Sequence, residues 1–224
     1  MKDIREIIVD EKELVGRSEE IDTIKQGPLM KEIIKALKDT MEANGLLSLS
    51  APQIGYDKRI FCIQFDTEIK TFINPIIMNS KGLELSRETC HSFPGKEYIR
   101  PRNNDIQVMY QRPLGQIESR QLVGKAAIVF QHCLDHLDGL NLPDIGLEID
   151  EQWDKATDEE REEVINAYLE SLDIKRKDVE KLVEEDPKAK ELRDGIAYME
   201  SIYRGETKLE HLEKLNEEAR NIKV

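Results

Sequence analysis

The chain has 224 residues, 39% hydrophobic and 35% charged, with a formal net charge of −13. That length suits one domain, or a domain of about 150 residues with an appendage, and the negative balance excludes a protein that coats nucleic acid, because phosphate binding needs a basic face. Apolar runs such as 126–130 are too short to span a membrane, and Met1-Lys2-Asp3-Ile4-Arg5-Glu6 shows neither an apolar signal core nor a cleavage pattern; the expected location is the cytoplasm, with no membrane partner.

In chain order, the first predicted element is a helix over about 28–43, with Leu29, Ile33, Ile34, Leu37 and Met41 on one side. Strands follow at 59–66, 69–74, 106–110 and 117–122, separated by Gly, Pro and Asn breaks. A second helix runs from Gly124 to Leu137 and ends at Asp138-Gly139, where Gly suits a left-handed cap. The pattern is α+β, a mostly antiparallel sheet around a late helix.

Composition changes near residue 150. Residues 151–224 hold 22 acidic and 14 basic side chains, a net of −8, and read as helix throughout. Thr157-Asp158-Glu159-Glu160 is a capping-box pattern, and Val164, Ile165, Tyr168, Leu169 and Leu172 follow at helical spacing. Asp186-Pro187 starts another helix, with Leu192, Ile196, Met199 and Tyr203 at steps of four, three and four; Leu209, Leu212 and Leu215 mark a last one. The expected organisation is a domain over 1–150 and a charged helical extension over 151–224, with Trp153 at the junction. The apolar stripes need a docking surface on one another, on the front domain, on a second copy or on a protein partner.

Three cysteines, Cys62, Cys90 and Cys133, are an odd number without an export signal and do not form a disulfide framework. Cys62 lies in an apolar strand pattern and reads as a small core residue. Cys90 and Cys133 lie among polar residues and histidines. In Gln131-His132-Cys133-Leu134-Asp135-His136 two imidazoles are four residues apart, on one helix face and within reach of one ion. Taken alone this spacing also describes an ordinary exposed or core pair.

Two upstream segments narrow the reading: Gly45-Leu46-Leu47-Ser48-Leu49-Ser50-Ala51-Pro52-Gln53-Ile54-Gly55 and Glu88-Thr89-Cys90-His91-Ser92-Phe93-Pro94-Gly95. With His132 and His136 they resemble, in order, the three motifs of peptide deformylases: a Gly-rich segment ending in Ala-x-Gln, then Glu-Gly-Cys-Leu-Ser, then His-Glu-x-x-His. The resemblance covers about residues 1–145. It implies that Cys90, His132 and His136 bind one divalent ion, Fe2+ or a substitute such as Zn2+ or Ni2+. It further implies that the Gln53 amide and the backbone N–H of His91 donate to a developing oxyanion, and that Leu46, Leu47, Ser48 and Arg102 lie along the bound peptide, an N-formylated or other peptide N-terminus. One thiolate and two imidazoles leave a fourth position open, the donor pattern of a catalytic ion. Glu88 matches a family residue of structural, hydrogen-bonding role.

The sequence departs from the family inside the motifs. Cys133 stands where the family has the glutamate that handles the proton, a role worth about 10²–10⁴-fold in rate, and a thiol is shorter with a free pKa of about 8.5. Leu46 and Ser48 replace two glycines, and their bulk is expected to crowd the groove; Thr89 and His91 replace the Gly and Leu of the second motif. Three functions are expected in competition: a deformylase-like metalloprotein with weak or lost activity, an active hydrolase with a proton path rescued by His91 or a second water, and a scaffold whose helical tail binds a partner.

Overall fold

The computed structural model describes residues 2–9, 11–66 and 68–185. Contacts divide the chain into two compact units, Met1–Arg161 and Glu162–Val224. In the first unit, α1 (Gly27–Asn44) starts with Pro28, where a missing N–H costs nothing, and stops at Gly45. Gly45 adopts φ 64° and its N–H returns to Met41 O, a left-handed cap that a side chain would strain. The helix buries Met30, Ile33, Ala36, Leu37 and Met41.

Strands β1 (Ser48–Ser50), β2 (Ile60–Phe65), β3 (Glu68–Cys90), β4 (Phe93–Gln111) and β5 (Ile117–Val123) pair in that order, and β6 (Leu147–Ile149) pairs with β4. Every pairing between these strands is antiparallel. The first four residues of β2, Ile60–Ile63, are all apolar because both faces of the strand are covered there. Ile60 and Cys62 pack with α1, whereas Phe61 and Ile63 pack toward α2 (Lys125–Leu137). Beneath α2 the rings of Phe61, Phe72 and Phe130 lie 5.1–5.3 Å apart, and Tyr110 meets Phe72 edge-on at 4.6 Å.

β3 and β4 are far longer than the predicted strands at 69–74 and 106–110. Pro75 looks like a stop, yet the chain absorbs it as a bulge between Ile73 and Ile76 and continues. Asn74 takes φ 47° at that bulge, where its side chain accepts from Ile21 N and donates to Ile21 O and Gln111 Oε1. The short β1 and β6 were not predicted.

The C-terminus of α2 is held from two sides. Buried Arg59 donates through Nη1 to Leu137 O at 3.1 Å and to Asp138 Oδ1 at 2.7 Å, and Ser18 N also donates to Leu137 O. Gly139, at φ 71°, passes so close to Gly16 that a Cβ would sit 2.5 Å from its backbone. These contacts fix the last turn of α2, which carries His136.

After α3 (Leu142–Ile145), α4 (Glu151–Lys155) carries half-buried Trp153, whose carbonyl accepts from Arg161 Nε at 3.0 Å. α5 (Asp158–Glu185) opens with the expected box: Glu160 N donates to Thr157 Oγ1, and Thr157 N donates to Glu160 Oε2. The remainder of the expected extension, the Asp186-Pro187 start and the stripes at 192–203 and 209–215, lies outside the described residues. Among the described residues no helix is long and apolar enough to cross a membrane.

Candidate metal centre

The centre is assembled where the end of β3 meets α2. Cys90 is the last residue of β3, and His132 and His136 are one turn apart on the facing side of α2. The Cys90 Sγ and one nitrogen of each imidazole lie within 4.8 Å of one another. Cys90 Sγ is 3.3 Å from His136 Nε2, and the two rings meet nearly at right angles with centroids 5.0 Å apart. Cys90 and His136 are buried and His132 half-buried.

Each donor is oriented by its neighbours. His132 Nδ1 lies 3.0 Å from Glu88 Oε2, which leaves Nε2 as the nitrogen offered to an ion. Glu88 is held by Arg102, Nε to Oε1 at 2.7 Å and Nη2 to Oε2 at 3.0 Å, and Arg102 Nη1 reaches Asp135 Oδ2 at 2.6 Å. Burial pushes the Glu88 carboxyl up, but His132 and Arg102 outweigh it and hold it at about 2. Burial likewise raises the Cys90 thiol, and hydrogen bonds to His132 and His136 outweigh it and bring it well below the ordinary range, the direction that favours thiolate. His132 shifts upward by the same coupling with Cys90 and Glu88, against the effect of its burial.

Gln53 enters from a 3-10 turn at Ala51–Ile54. Ser50 N donates to Gln53 Oε1 at 3.0 Å, so the amide must turn Nε2 inward, 3.1 Å from Ser92 Oγ and 3.6 Å from Cys90 Sγ.

The donor set fits a divalent transition ion: one cysteine sulfur and two imidazole nitrogens lie within 4.8 Å of one another. His136 directs Nε2 at the shared centre, 3.3 Å from Cys90 Sγ, and its buried Nδ1 has no hydrogen-bond partner among the described residues.

The family-level comparison agrees with this geometry. The polypeptide deformylase family model matches residues 4–145. This chain belongs to the polypeptide deformylase family. Among its relatives, the peptide deformylase of Dictyoglomus thermophilum is 34% identical over 119 residues, covering 53% of this chain and 78% of that protein. The peptide deformylase of Thermotoga maritima is 34% identical over 116 residues, covering 51% of this chain and 71% of that protein. The Thermotoga maritima peptide deformylase crystal structure superposes with a TM-score of 0.58 at 31% identity, over 63% of this chain and 96% of that one. A Synechococcus elongatus peptide deformylase, solved in complex with actinonin, gives 0.56 at 25% identity, over 62% of this chain and 76% of that one.

Within this deformylase frame the other expected site residues fall unevenly. Cys133 faces the β1 side of α2; its thiol is 1% exposed, is pushed up to about 12 by burial, and is not one of the converging donors. His91 is exposed beside Cys90. Leu47 is exposed and its carbonyl accepts from Gln64 N, and Ser48 is half-buried. Two expectations are corrected. Leu46 does not crowd a groove: its side chain is buried in the α1 core. Arg102 is not available to a peptide, because it is 3% exposed and its guanidinium is spent on Glu88 and Asp135. Ser92, Ser50 and Asp135 stand inside the motif segments but were given no role from the sequence. Asp135 carried a signal, since it lies one turn from His132 on a helix facing a strand arginine.

Proposed function

We propose that the protein is a deformylase-like metalloprotein that binds one divalent ion, Fe2+ or a substitute such as Zn2+ or Ni2+, and removes N-formyl groups from peptides weakly or not at all. The observation that carries this reading is Cys133, a short side chain 1% exposed and outside the donor cluster, where the family motif has its glutamate. Held by Cys90, His132 and His136, the ion would supply Lewis acidity and lower the pKa of water at an open position. The chain's own residues supply the remainder. Gln53 Nε2 and the His91 backbone N–H would donate to a developing oxyanion, Glu88 and Arg102 keep His132 oriented, and Leu47 and Ser48 border the peptide. What is missing is a side chain that takes a proton and returns it to the leaving amine.

The test is formate release from a formyl-methionyl peptide by anaerobically iron-loaded protein of measured metal content. The expected rate is about 10²–10⁴-fold below that of the Thermotoga maritima protein assayed alongside, the worth of a positioned acid–base group. A comparable rate overturns the reading. A second reading, hydrolysis by a rescued proton path, is favoured by the exposed position of His91 beside Cys90. It requires measurable turnover in the native protein that His91→Ala abolishes. Residues 151–224 we read as a helical extension open to a protein partner or a second copy, in a cytoplasmic protein; removing them should leave metal binding to 1–150 intact.

A further inference from the structure

β1 presents two hydroxyls to α2. Along Ser48, Leu49 and Ser50 side chains alternate, and Leu49 packs into the α1 core. Ser48 lies opposite Ile63 and Ser50 opposite Phe61, both in the core beneath α2, and residues paired across a sheet share a face. Ser50 Oγ donates to Cys133 O at 3.2 Å, which sets how closely the strand approaches the helix. At that separation Ser50 lies against Cys133, and Ser48, two residues back on the same α2-facing side, stands at the half-buried end of the strand. Cys133 is 1% exposed and Ser50 fully buried, so strand and helix meet here through small side chains.

We propose that Ser48 and Cys133 form one packing unit beside the metal ligands, in which the Ser48 side chain limits what residue 133 can be. A side chain two atoms longer than Cys, with a carboxylate or amide end, has nowhere to go between β1 and α2 while Ser48 keeps its Cβ and hydroxyl. Ser48 is therefore a specificity-determining residue: it decides whether the site can hold a proton-carrying group at position 133 at all. This inference rests on the reading of Cys133 as the missing acid–base group. It adds that the absence is locked from the strand side, so replacing Cys133 alone does not reverse it.

The experiment is a pair of double-substitution cycles on the full chain. In the first, Ser48→Gly is combined with Cys133→Gln, a neutral residue of full length that avoids burying a charge. Metal affinity by chelator competition and thermal stability are read for all four proteins. Cys133→Gln should weaken metal binding, and Ser48→Gly should recover it only in that background, with a coupling of about tenfold or more. In the second, Cys133→Glu is read by formate release from the iron-loaded proteins, and the gain should be about tenfold larger when residue 48 is Gly. Recovery of folding of a misfolded 133 variant by Ser48→Gly counts as support. Independent, multiplying effects in both cycles overturn the unit, as does failure of both 133 variants to fold whatever residue 48 is. Coupling in metal affinity without any formate release would keep the unit and discard the catalytic reading. Full recovery of turnover by Cys133→Glu alone would do the reverse.

Discussion

Arg102→Met removes the one cation that binds Glu88 and Asp135 together. The Arg102 side chain is 3% exposed, that of Glu88 6% and that of Asp135 19%. Three contacts of 2.6–3.0 Å are lost at once. Breaking a buried pair by removing one partner costs about 3–5 kcal/mol, because the remaining charge is left without compensation; the partial exposure of Asp135 places the expectation near the lower end. A second effect follows from geometry. Glu88, no longer pinned, loses its hold on His132 Nδ1, and loss of such an orienting partner weakens metal binding by about 10–100-fold. Denaturant titration of the metal-free protein reads the first effect, and chelator competition on the folded protein reads the second. Adding Glu88→Gln to Arg102→Met should recover part of the stability, since it removes the stranded charge, but should not recover metal affinity. A loss below about 1 kcal/mol with unchanged metal affinity would refute the assignment of Arg102 as the residue that positions His132.

Other perturbations test separate links. Cys90→Ser should abolish tight metal binding and, with it, the rise in Tm that metal gives the native protein; retention of that rise would remove Cys90 from the ligand set. Arg59→Met should cost about 2 kcal/mol through loss of charge-assisted bonds to Leu137 O and Asp138. Hydrogen exchange should show that loss concentrated in the last turn of α2, and uniform loosening would contradict the anchoring role. Phe72→Ala, at the centre of the aromatic cluster, should cost about 3–5 kcal/mol in denaturant unfolding.

The helices were the most legible elements because their signals are local. Ile33, Leu37 and Met41 mark the buried side of α1, Gly45 and Gly139 stop α1 and the α2 turn, and Thr157 with Glu160 starts α5. The long β3–β4 hairpin was not legible. Pro75, Pro94 and Pro101 signal breaks in a sequence window, and only pairing with a distant strand shows that β3 and β4 continue through them, with a bulge at Pro75. The metal ligands were readable from their motif spacing and Glu88 as a hydrogen-bonding support from the family resemblance, whereas the arginine that holds Glu88 was not. Nothing local tells whether a strand arginine such as Arg102 faces a peptide or turns inward to a carboxylate 14 residues back and another on α2. The side chain of Leu46 was likewise misread: a large residue at a glycine position looks obstructive until the face of the chain it occupies is known.

The central claim is that three donors hold the ion while Cys133 stays outside its coordination and outside the proton chemistry. X-ray absorption of the zinc- or iron-loaded protein tests this directly, because it counts sulfur neighbours. The account predicts one sulfur at about 2.3 Å and two imidazole nitrogens at about 2.0–2.1 Å, completed by a light atom. Two sulfurs at bonding distance would mean that Cys133 closes the site as a fourth ligand, and would contradict it.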